Sequence, residues 1–411
     1  VANGYDQFAI GQFISTVMGT TCGVLSMQSM LFAIGVGSGS MPLAATLNWI
    51  IKDGLGQFGG IIFASFVNNH FDADPKRWRM ISGLSMDTSS LLELMTPLAP
   101  AYFLPIAAVA NVGKNISFLS ASASRAAIHK SLCRHENLAD ITAKTGSQCI
   151  VGSLLGTSLG LSIAASLGQD YNSIVMAFVA CSSVSLGATY FSLKGVTLTT
   201  LSLARLDCLL QHHVSHPSTA LLSPAEVRQQ EEYLGSSSNM LPLHIGSDLD
   251  EATCTQQELE GVLSLYQGEQ YLLTAHSART TSDNSIEIHL LFKRDVTKRD
   301  MVKGMYNAFL LRRMLSERGF TSPSTAQRLQ QRLAPFKGQE VEVEVNSWEE
   351  EALRECYALT QEAEAGDKFA DNLLSVSSES EDASSAGDRD STNTWLVDSL
   401  LLETRVARIN A

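Results

Sequence analysis

Long stretches without a charged residue dominate the first half of the chain. A membrane-spanning helix needs about 20 mostly apolar residues, and the uncharged runs here are rich in Gly, Ala, Ser and Thr, which let helices pack closely in lipid. The pattern predicts a mainly α-helical, membrane-embedded body over residues 1–210. A soluble helical bundle is the alternative, although its helices would normally carry a charged stripe. The uncharged runs cover 7–51, 54–69, 94–113, 145–169 and 171–193.

Prolines and polar clusters divide these runs. Pro97, Pro100 and Pro105 predict that the run at 94–113 is kinked or broken, which a membrane tolerates only beside protein or a water-filled cavity. The stretches 68–79 and 129–144 are polar. We expect a loop or interfacial turn in the first and a solvated segment in the second.

The second half of the chain predicts a smaller soluble α+β domain. Residues 211–250 combine Pro, Ser and Gly and are typical of a linker. The domain itself is predicted over 251–366, where Glu269–His276 and Ser285–Phe292 flank a polar turn and predict two strands.

Helices and a final segment complete this predicted domain. Thr297, with Asp300 three residues on, predicts the start of a helix to about Ser316, and a second helix is predicted over 348–363. Residues 367–393 are acidic and Ser-rich, which predicts a disordered insert. The last residues, 394–411, regain apolar alternation, and we expect them to return to the α+β domain.

Charge and cysteine content exclude several classes of protein. The chain carries a formal net charge of −13, and residues 1–210 hold 11 of the 29 Lys/Arg and 10 of the 42 Asp/Glu. The acidity therefore belongs to the second half, and a nucleic-acid partner, which requires a basic face, is not expected. Seven widely spaced cysteines contain no Cys-x-x-Cys pair, which argues against a disulfide framework or a zinc module. The chain begins with Val1, so we expect a fragment or a processed form.

Motifs for catalysis and cofactors are weak. Gly54-Leu-Gly56-Gln-Phe-Gly59 matches a dinucleotide-binding pattern, but it follows an apparent helix instead of the strand that such a site requires. Helix packing is the better interpretation. His212, His213 and His216 lack a nearby carboxylate framework and favour a solvated tract over a metal site. We therefore expect no enzyme activity, no cofactor and no metal.

Polar residues within the apolar half are better candidates for a ligand site. Asn48 and Lys52 lie four residues apart, hence on one helical face, and Asp53 and Glu93 are further ionisable groups in this region. Ionisable groups at membrane depth usually face a cavity, a partner charge or a ligand. Because Asp53 points about 100° away from Lys52 around a helix, we predict that the partner of Lys52 comes from another helix, with Glu93 as the expected protein acid, or from a ligand. Helix-end groups are expected to reach the interface instead; these are Lys114, Arg125 and His129.

Several strings in the apolar half also have the order and spacing of a known family over roughly residues 8–210. They are Asn48-Trp-Ile-Ile-Lys-Asp-Gly-Leu-Gly56, Trp78-Arg79, Leu92-Glu93 with Pro97, Ser124-Arg-Ala-Ala127, and Asn137-Leu-Ala-Asp-Ile-Thr-Ala-Lys144 with Ser147-Gln148. Together they resemble the root UVB sensitive (RUS) family, and the segments at Tyr271 and Trp395 resemble its C-terminal domain more loosely. The chain departs from the family where Ser82-Gly83 and Met86 replace an Ala-Asp pair and an Asn, so a role for that acid does not carry over.

The resemblance implies a eukaryotic, membrane-associated protein linked to vitamin B6 homeostasis, UV-B responses and development. It supplies no reaction and no catalytic residue. One hypothesis is a non-enzymatic small-molecule binder or transporter, with a B6 vitamer near Asn48, Lys52, Asp53 and Glu93. The alternative is a membrane scaffold that holds other RUS family members. We expect a membrane location, in a plastid if the source is photosynthetic and in another organelle otherwise.

Overall fold

Two compact units make up the protein. A computed structural model divides the chain into Val1–Thr199 with Pro224–Gly235, here called the helical body, and Thr200–Ser223 with Ser236–Ala411, here called the α+β domain. The boundary near residue 199 differs from the predicted one at 210. The structure describes residues 2–34, 43–67, 71, 74–134, 137–168, 170–216, 220–233, 241–247, 256–277, 286–294, 296–320, 347–384, 395–401 and 408–409.

Long helices form the helical body, as the uncharged runs predicted. Among the described residues, three helices are long and apolar enough to cross a membrane: Tyr5–Ala33, Leu138–Leu167 and Tyr171–Gly195. A short further helix, Pro224–Gln230, also belongs to this unit. The long helices are α1 (Tyr5–Ala33), α2 (Leu43–Val67), α3 (Pro75–Leu94), α4 (Phe103–Leu132), α5 (Leu138–Leu167) and α6 (Tyr171–Gly195).

The breaks between helices follow the prolines. Between α3 and α4 the chain makes two short 3-10 turns, Thr96–Leu98 and Pro100–Tyr102, which confirms the predicted break. The polar stretch 68–79 is only partly a loop, because α3 already begins at Pro75 in the first helical position, where its missing N–H costs nothing. Similarly, α4 continues into the stretch 129–144 as far as Leu132, and α5 begins at Leu138.

Helix α3 is the most polar of the long helices of the body. It packs against α1, α4 and α6, and its buried residues include Ser82, Asp87, Ser89, Ser90 and Glu93. The other helices expose many large apolar side chains, including Ile61, Phe118, Ile150, Leu154 and Met176. The body therefore buries several polar groups beside its apolar clusters and exposes an unusual amount of apolar surface.

Glycines bring the helices of the body into close contact. A Cβ atom on Gly156 of α5 would overlap the carbonyl oxygen of Val17 in α1, and one on Gly160 would lie 2.8 Å from Val24 Cβ. A Cβ on Gly56 of α2 would overlap the Asn111 side chain of α4. Small residues at such contacts allow close backbone approach, and the packing interpretation of the motif is confirmed for Gly56 and Gly59 but not for Gly54.

A small sheet and several helices form the α+β domain. The two predicted strands are present as β3 and β4, which pair antiparallel with each other, and β2 and β6 each pair parallel with β4. A separate two-stranded sheet joins β1 and β5. The domain contains β1 (Thr200–Ser202), α7 (Leu203–Ser215), β2 (Leu243–Ile245), α8 (Gln256–Leu265), β3 (Tyr271–Ser277), β4 (Ile286–Lys293), α9 (Lys298–Glu317), α10 (Ser347–Ala363), α11 (Ala365–Ser384), β5 (Leu396–Leu401) and β6 (Arg408–Ile409).

Three predictions for this domain can be compared with the structure. Thr297 and Asp300 form a reciprocal capping box at the start of α9, which confirms that helix start. The prediction of disorder over 367–393 is wrong for its first part, because α11 runs to Ser384 and buries Phe369, Ala370 and Leu373. Residues 385–393 lie outside the described residues. The final segment does return to the domain through β5 and β6.

Candidate functional site

Glu93 occupies the centre of a buried polar cluster near the end of α3. Its side chain is 1% exposed. The Ser26 hydroxyl of α1 donates to Glu93 Oε2 at 2.6 Å, and the Lys114 ammonium of α4 forms an ion pair with the same oxygen. Thr96 Oγ1 donates to the Glu93 carbonyl at 2.7 Å. Three helices thus meet at the Glu93 carboxylate, and the turn that follows α3 bonds to the Glu93 backbone.

Lys52 and Asp53 form a second pair on α2. Lys52 is 4% exposed, its Nζ lies 2.7 Å from Asp53 Oδ1, and it stands 4.7 Å from the centre of the Trp49 ring. Asn111 of α4 donates to Asp53 Oδ1 at 3.1 Å and to the Lys52 carbonyl at 3.2 Å. Asn48 lies half-buried one turn before Lys52.

The predicted pairing between Lys52 and Glu93 is wrong. The four-carbon lysine stem is flexible enough to bring Nζ back to the neighbouring carboxylate, despite the 100° between the two positions. Glu93 pairs instead with Lys114, which we expected to extend from a helix end toward the interface. The structure therefore divides the four candidate residues between two pairs.

Helix α4 connects these two pairs. Asn111 contacts the Lys52–Asp53 pair and Lys114 contacts Glu93. Because Asn111 and Lys114 are three residues apart, they lie on neighbouring parts of one helical face. A change in the position of α4 would therefore alter both contacts together.

Buried hydroxyls extend the polar interior along α3. Ser117 donates to the Ser82 carbonyl at 2.6 Å, Ser85 donates to the Gly113 carbonyl at 2.9 Å, and Ser182 of α6 donates to Asp87 Oδ2 at 2.5 Å. We call Ser82, Ser85, Asp87, Ser89 and Glu93, with their partners, the polar seam. Such groups can exchange their hydrogen bonds for those of a polar solute.

Sequence reasoning found Glu93 but missed its neighbours. A signal was present: Ser82, Ser85, Ser89 and Glu93 follow a helical period and mark one polar stripe on α3. Ser26, Asp87 and Lys114 gave no comparable signal, because their partners are distant in sequence and only the helix packing brings them together.

The histidine tract of α7 packs into the α+β domain. The His213 ring lies 5.1 Å from that of Phe369 and 6.4 Å from that of Tyr306, while His212 and His216 stack on each other. Burial lowers the pKa of His213. No group of three His, Cys, Asp or Glu suited to a metal occurs among the described residues.

Buried polar groups of the α+β domain form a structural network. Lys303 Nζ lies 2.8 Å from Glu269 and 3.0 Å from Asp367, while Asn307 donates to the Tyr271 hydroxyl. Burial raises the pKa of Tyr271 above its ordinary range, and it raises the pKa of the Cys356 thiol to about 12. Since both groups stay protonated at neutral pH, neither is poised as a nucleophile.

Comparisons with known proteins cover both units. Residues 1–217 match a family model described as the vitamin B6 photo-protection and homoeostasis domain, and residues 220–365 match the root UVB sensitive protein, C-terminal. The chain is 29% identical over 308 residues to protein root UVB sensitive 3 of Arabidopsis thaliana, which is 72% of this chain and 68% of that protein.

Two further relatives show similar identity. Protein root UVB sensitive 4 of Arabidopsis thaliana is 31% identical over 285 residues, covering 67% of this chain and 54% of that protein. RUS family member 1 of Dictyostelium discoideum is 26% identical over 262 residues, covering 63% and 49%. The chain thus spans about half to two thirds of the length of these relatives. No solved structure matches it.

Proposed function

The chain belongs to the root UVB sensitive family, and from that premise we propose that it is a non-enzymatic membrane protein that binds or carries a small polar metabolite connected with vitamin B6 homoeostasis. The description of the matched domain supports the metabolic connection. The geometry of the helical body supports binding of a polar solute.

One observation carries the proposal: the polar seam is buried in a bundle that exposes many large apolar side chains. Charged and polar groups inside an apolar body are costly unless they are paired or contact a ligand. A helix that only supported the fold could be built from apolar residues at lower cost. The retention of carboxylates and hydroxyls along α3 therefore suits a protein that handles a polar solute.

The chemistry of a B6 vitamer fits the seam. Its ring hydroxyls and nitrogen offer both donors and acceptors, which Ser26, Glu93 and Lys114 can match. Lys52, our first candidate for meeting the solute, pairs through its ammonium with Asp53, and Asn111 donates to its backbone carbonyl. The Glu93–Lys114 pair is the better candidate, because the Ser26 hydroxyl beside it adds a third hydrogen-bonding group.

Location forms part of the same proposal. Three helices of suitable length and composition support membrane association. One relative is named protein root UVB sensitive 2, chloroplastic, and we propose a plastid membrane for this chain if its source is photosynthetic. Family relatives are the proposed protein partners, through the α+β domain.

Uptake into proteoliposomes tests the proposal. The purified chain would be reconstituted, and uptake of pyridoxine, pyridoxal, pyridoxamine and their 5′-phosphates would be measured. We expect uptake of at least one vitamer and a decrease of about 10- to 100-fold in Glu93→Gln, because a hydrogen bond to a charged group is lost. Asp140→Asn, on an exposed pair with Lys144, should leave uptake unchanged.

Two outcomes would contradict this function. The first is the absence of both uptake and binding for every vitamer by a correctly folded chain. The second is uptake that is the same in Glu93→Gln and in the unaltered chain. If the chain neither takes up nor binds a vitamer but captures family relatives, the alternative function, a membrane scaffold, would be favoured.

A further inference from the structure

The two acids of α3 are both buried, and they differ in their partners. Glu93 pairs with the Lys114 ammonium and accepts a hydrogen bond from Ser26. Asp87 is 6% exposed. Among the described residues, the single hydrogen-bond partner of its side chain is Ser182 Oγ of α6, which donates to Oδ2 at 2.5 Å. Asp87 therefore has a neutral partner where Glu93 has a cation.

The position of each acid on α3 explains this difference. Six residues of an α-helix turn through about 600°, so Asp87 and Glu93 point about 120° apart. Glu93 contacts α1 and α4, whereas Asp87 contacts α6. Ser182 follows Phe178 by four residues, and the Phe178 carbonyl accepts from the Cys22 thiol of α1 at 3.7 Å. Asp87 thus meets α6 where α6 packs against α1.

Helices α1 and α6 offer no cation to Asp87. Helix α1 contains no Lys, Arg or His. The one such residue on α6 is Lys194, which lies twelve residues beyond Ser182, or about three turns. The titratable groups close to this contact are the thiols of Cys22 and Cys181, which pack in one apolar cluster. Thiols of this kind are neutral at neutral pH.

The cations of α3 and α4 also lie elsewhere. Lys114 is held by Glu93. The contact between Ser85 and the Gly113 carbonyl shows which part of α4 lies beside Asp87, and the turn Thr96–Leu98 carries no titratable side chain. The remaining basic residues of the two helices are eight or more residues away from Asp87 or Gly113: Lys76, Arg77 and Arg79 on α3, and Arg125, His129 and Lys130 on α4.

An ionised Asp87 would be a buried charge without a counter-charge. Moving an ionised group out of water is costly, and a buried acid becomes neutral instead. One hydroxyl donor offsets only part of that cost. Acids inside membrane proteins that gain and lose a proton form the relays of pumps and transporters. The surroundings of Asp87 have this character, and those of Glu93 do not.

We propose that Asp87 is a proton-binding site of the helical body and that its proton is carried together with the polar solute. The carboxyl is neutral at neutral pH in the folded chain. It takes one proton from water on one side of the membrane and releases it to water on the other, so no further reactant is required. The coupling rests on the proposed function, whereas proton binding is measured on the chain alone.

Replacement by an amide separates proton binding from a structural role. Asn has the size of Asp and can accept the hydrogen bond from Ser182, but it binds no proton. Asp87→Asn should therefore fold, and it should lose only what depends on the proton. The matched control is Asp140→Asn, which alters an exposed acid paired with Lys144.

Infrared spectroscopy of the full chain in neutral detergent, without any solute, detects the proton directly. The absorption band of protonated carboxyl groups would be followed as the pH rises from about 4 to about 8, a range in which exposed carboxyl groups ionise. At about pH 7 we expect the unaltered chain and Asp140→Asn to retain a component of this band that Asp87→Asn lacks. Equal bands in all three chains would overturn the proposal.

Thermal unfolding of the same three chains provides a second measure of proton binding. If folded Asp87 holds a proton that the unfolded chain releases above about pH 4, the unaltered chain must lose stability relative to Asp87→Asn as the pH rises. Its folding equilibrium constant should fall about tenfold per pH unit, relative to that variant, until Asp87 ionises in the folded chain. A ratio that does not change with pH would overturn the proposal.

Uptake into proteoliposomes tests the coupling to a solute. With the outside about two pH units more acidic than the inside, one coupled proton allows a vitamer to accumulate up to about 100-fold. We expect this gradient to raise uptake by the unaltered chain and by Asp140→Asn, and to leave uptake by Asp87→Asn unchanged. An equal response of Asp87→Asn and the unaltered chain would overturn the coupling.

The two proposals fail in different ways. A chain that shows the Asp87 component of the infrared band but neither binds nor takes up any vitamer would uphold the proton site and reject the proposed function, together with the coupling. A chain that takes up a vitamer at a rate independent of the pH gradient, and lacks that component, would uphold the proposed function and overturn the proton site.

Discussion

The helical body and the α+β domain differ in the apolar side chains that they expose. Among the described residues, large exposed apolar side chains such as Leu154 and Met176 belong almost entirely to the helical body, and Leu359 is the example in the α+β domain. Both units bury some polar groups, Glu93 and Asp87 in the body and Asp207 and Arg312 in the domain. The two units therefore differ most in the composition of their surfaces.

The difference supports our proposal that lipid surrounds the helical body and water surrounds the α+β domain. In water, burial of apolar surface stabilises a fold by about 25 cal/mol per Å², and this drives the arrangement in the α+β domain. In lipid that drive is absent, so helices associate through close packing and polar contacts. The glycine contacts between α1 and α5 and the polar seam of α3 are the features expected there.

Loss of a buried ion pair in the α+β domain should give the largest effect. Arg312 Nη1 donates to both carboxylate oxygens of Asp207, at 3.0 and 2.8 Å, and Arg312 Nε donates to the Leu241 carbonyl at 2.6 Å. Arg312→Leu leaves the Asp207 carboxylate and this carbonyl buried without their donor. We expect the domain to lose about 3–5 kcal/mol of unfolding free energy, measured by urea denaturation of the full chain.

The adjacent Arg313 provides the matched control for that measurement. It is exposed and pairs with Glu317 four residues on. Arg313→Leu should leave the unfolding free energy close to that of the unaltered chain, since exposed pairs contribute little. Equal losses for the two variants would mean that Arg312 is not buried in the way the structure has it.

The corresponding pair in the helical body should be somewhat less sensitive. Lys114 is partly exposed while Glu93 is buried. Lys114→Met leaves the Glu93 carboxylate buried without its cation and should lower the free energy of unfolding by about 2–3 kcal/mol. Thermal unfolding in detergent would measure this loss. Adding Glu93→Leu to Lys114→Met should restore part of the stability, because no buried charge then remains.

The exposed Asp140–Lys144 pair provides the matched control for the Glu93–Lys114 measurement. Its double variant, Asp140→Asn with Lys144→Met, should leave the unfolding temperature unchanged. The unfolding temperature of the double variant, Glu93→Leu with Lys114→Met, would be compared with that of Lys114→Met alone. If the double variant is no more stable, the two side chains do not interact as a pair, and this part of the polar seam is wrong.

Much of the fold could be predicted from local patterns. The uncharged runs predicted the long helices, and Thr297 with Asp300 predicted the start of α9. Both predictions were possible because each pattern depends only on residues that are neighbours in sequence. The pairing of Lys52 with Asp53 could not be predicted from helix geometry alone, since it depends on how a long side chain bends. The helix at Ala365–Ser384 was missed because its apolar face, Phe369 and Leu373, is short and lies within an acidic, Ser-rich stretch.

The candidate site was predicted less well than the fold. Glu93 was singled out, but Lys114 and His129 were assigned to helix ends because the sequence places them near the edges of uncharged runs. Both side chains turn inward in the structure, and their contacts with Glu93 and Thr142 are made across helices. Contacts of this kind require the packing of the whole body, which a single sequence does not specify.

Alanine substitutions at two glycines of α2 should distinguish the effect of close helix packing from the effect of helix propensity. A Cβ on Gly56 would overlap the Asn111 side chain, whereas a Cβ on Gly54 would meet nothing within 4 Å. We expect Gly56→Ala to destabilise the body by about 1–3 kcal/mol through overpacking. Gly54→Ala should be neutral or stabilise it by up to about 1 kcal/mol, because alanine favours a helix.

Thermal unfolding in detergent would compare these two variants. The expected order of stability is Gly54→Ala, then the unaltered chain, then Gly56→Ala. The reverse order for the two variants would contradict the contact between α2 and α4, and with it the link between Asn111 and Asp53.

The central claim, that lipid surrounds the helical body, is tested most directly by spin labels at two exposed leucines. Leu154 of α5 is 65% exposed and Leu359 of α10 is 51% exposed, so the two sites are matched in residue type and similar in accessibility. Each would carry a nitroxide in a reconstituted chain whose native cysteines are replaced. We predict that the label at 154 is relaxed mainly by oxygen, which concentrates in lipid, and the label at 359 mainly by a water-soluble nickel complex. Preferential relaxation of both labels by the nickel complex would contradict the claim.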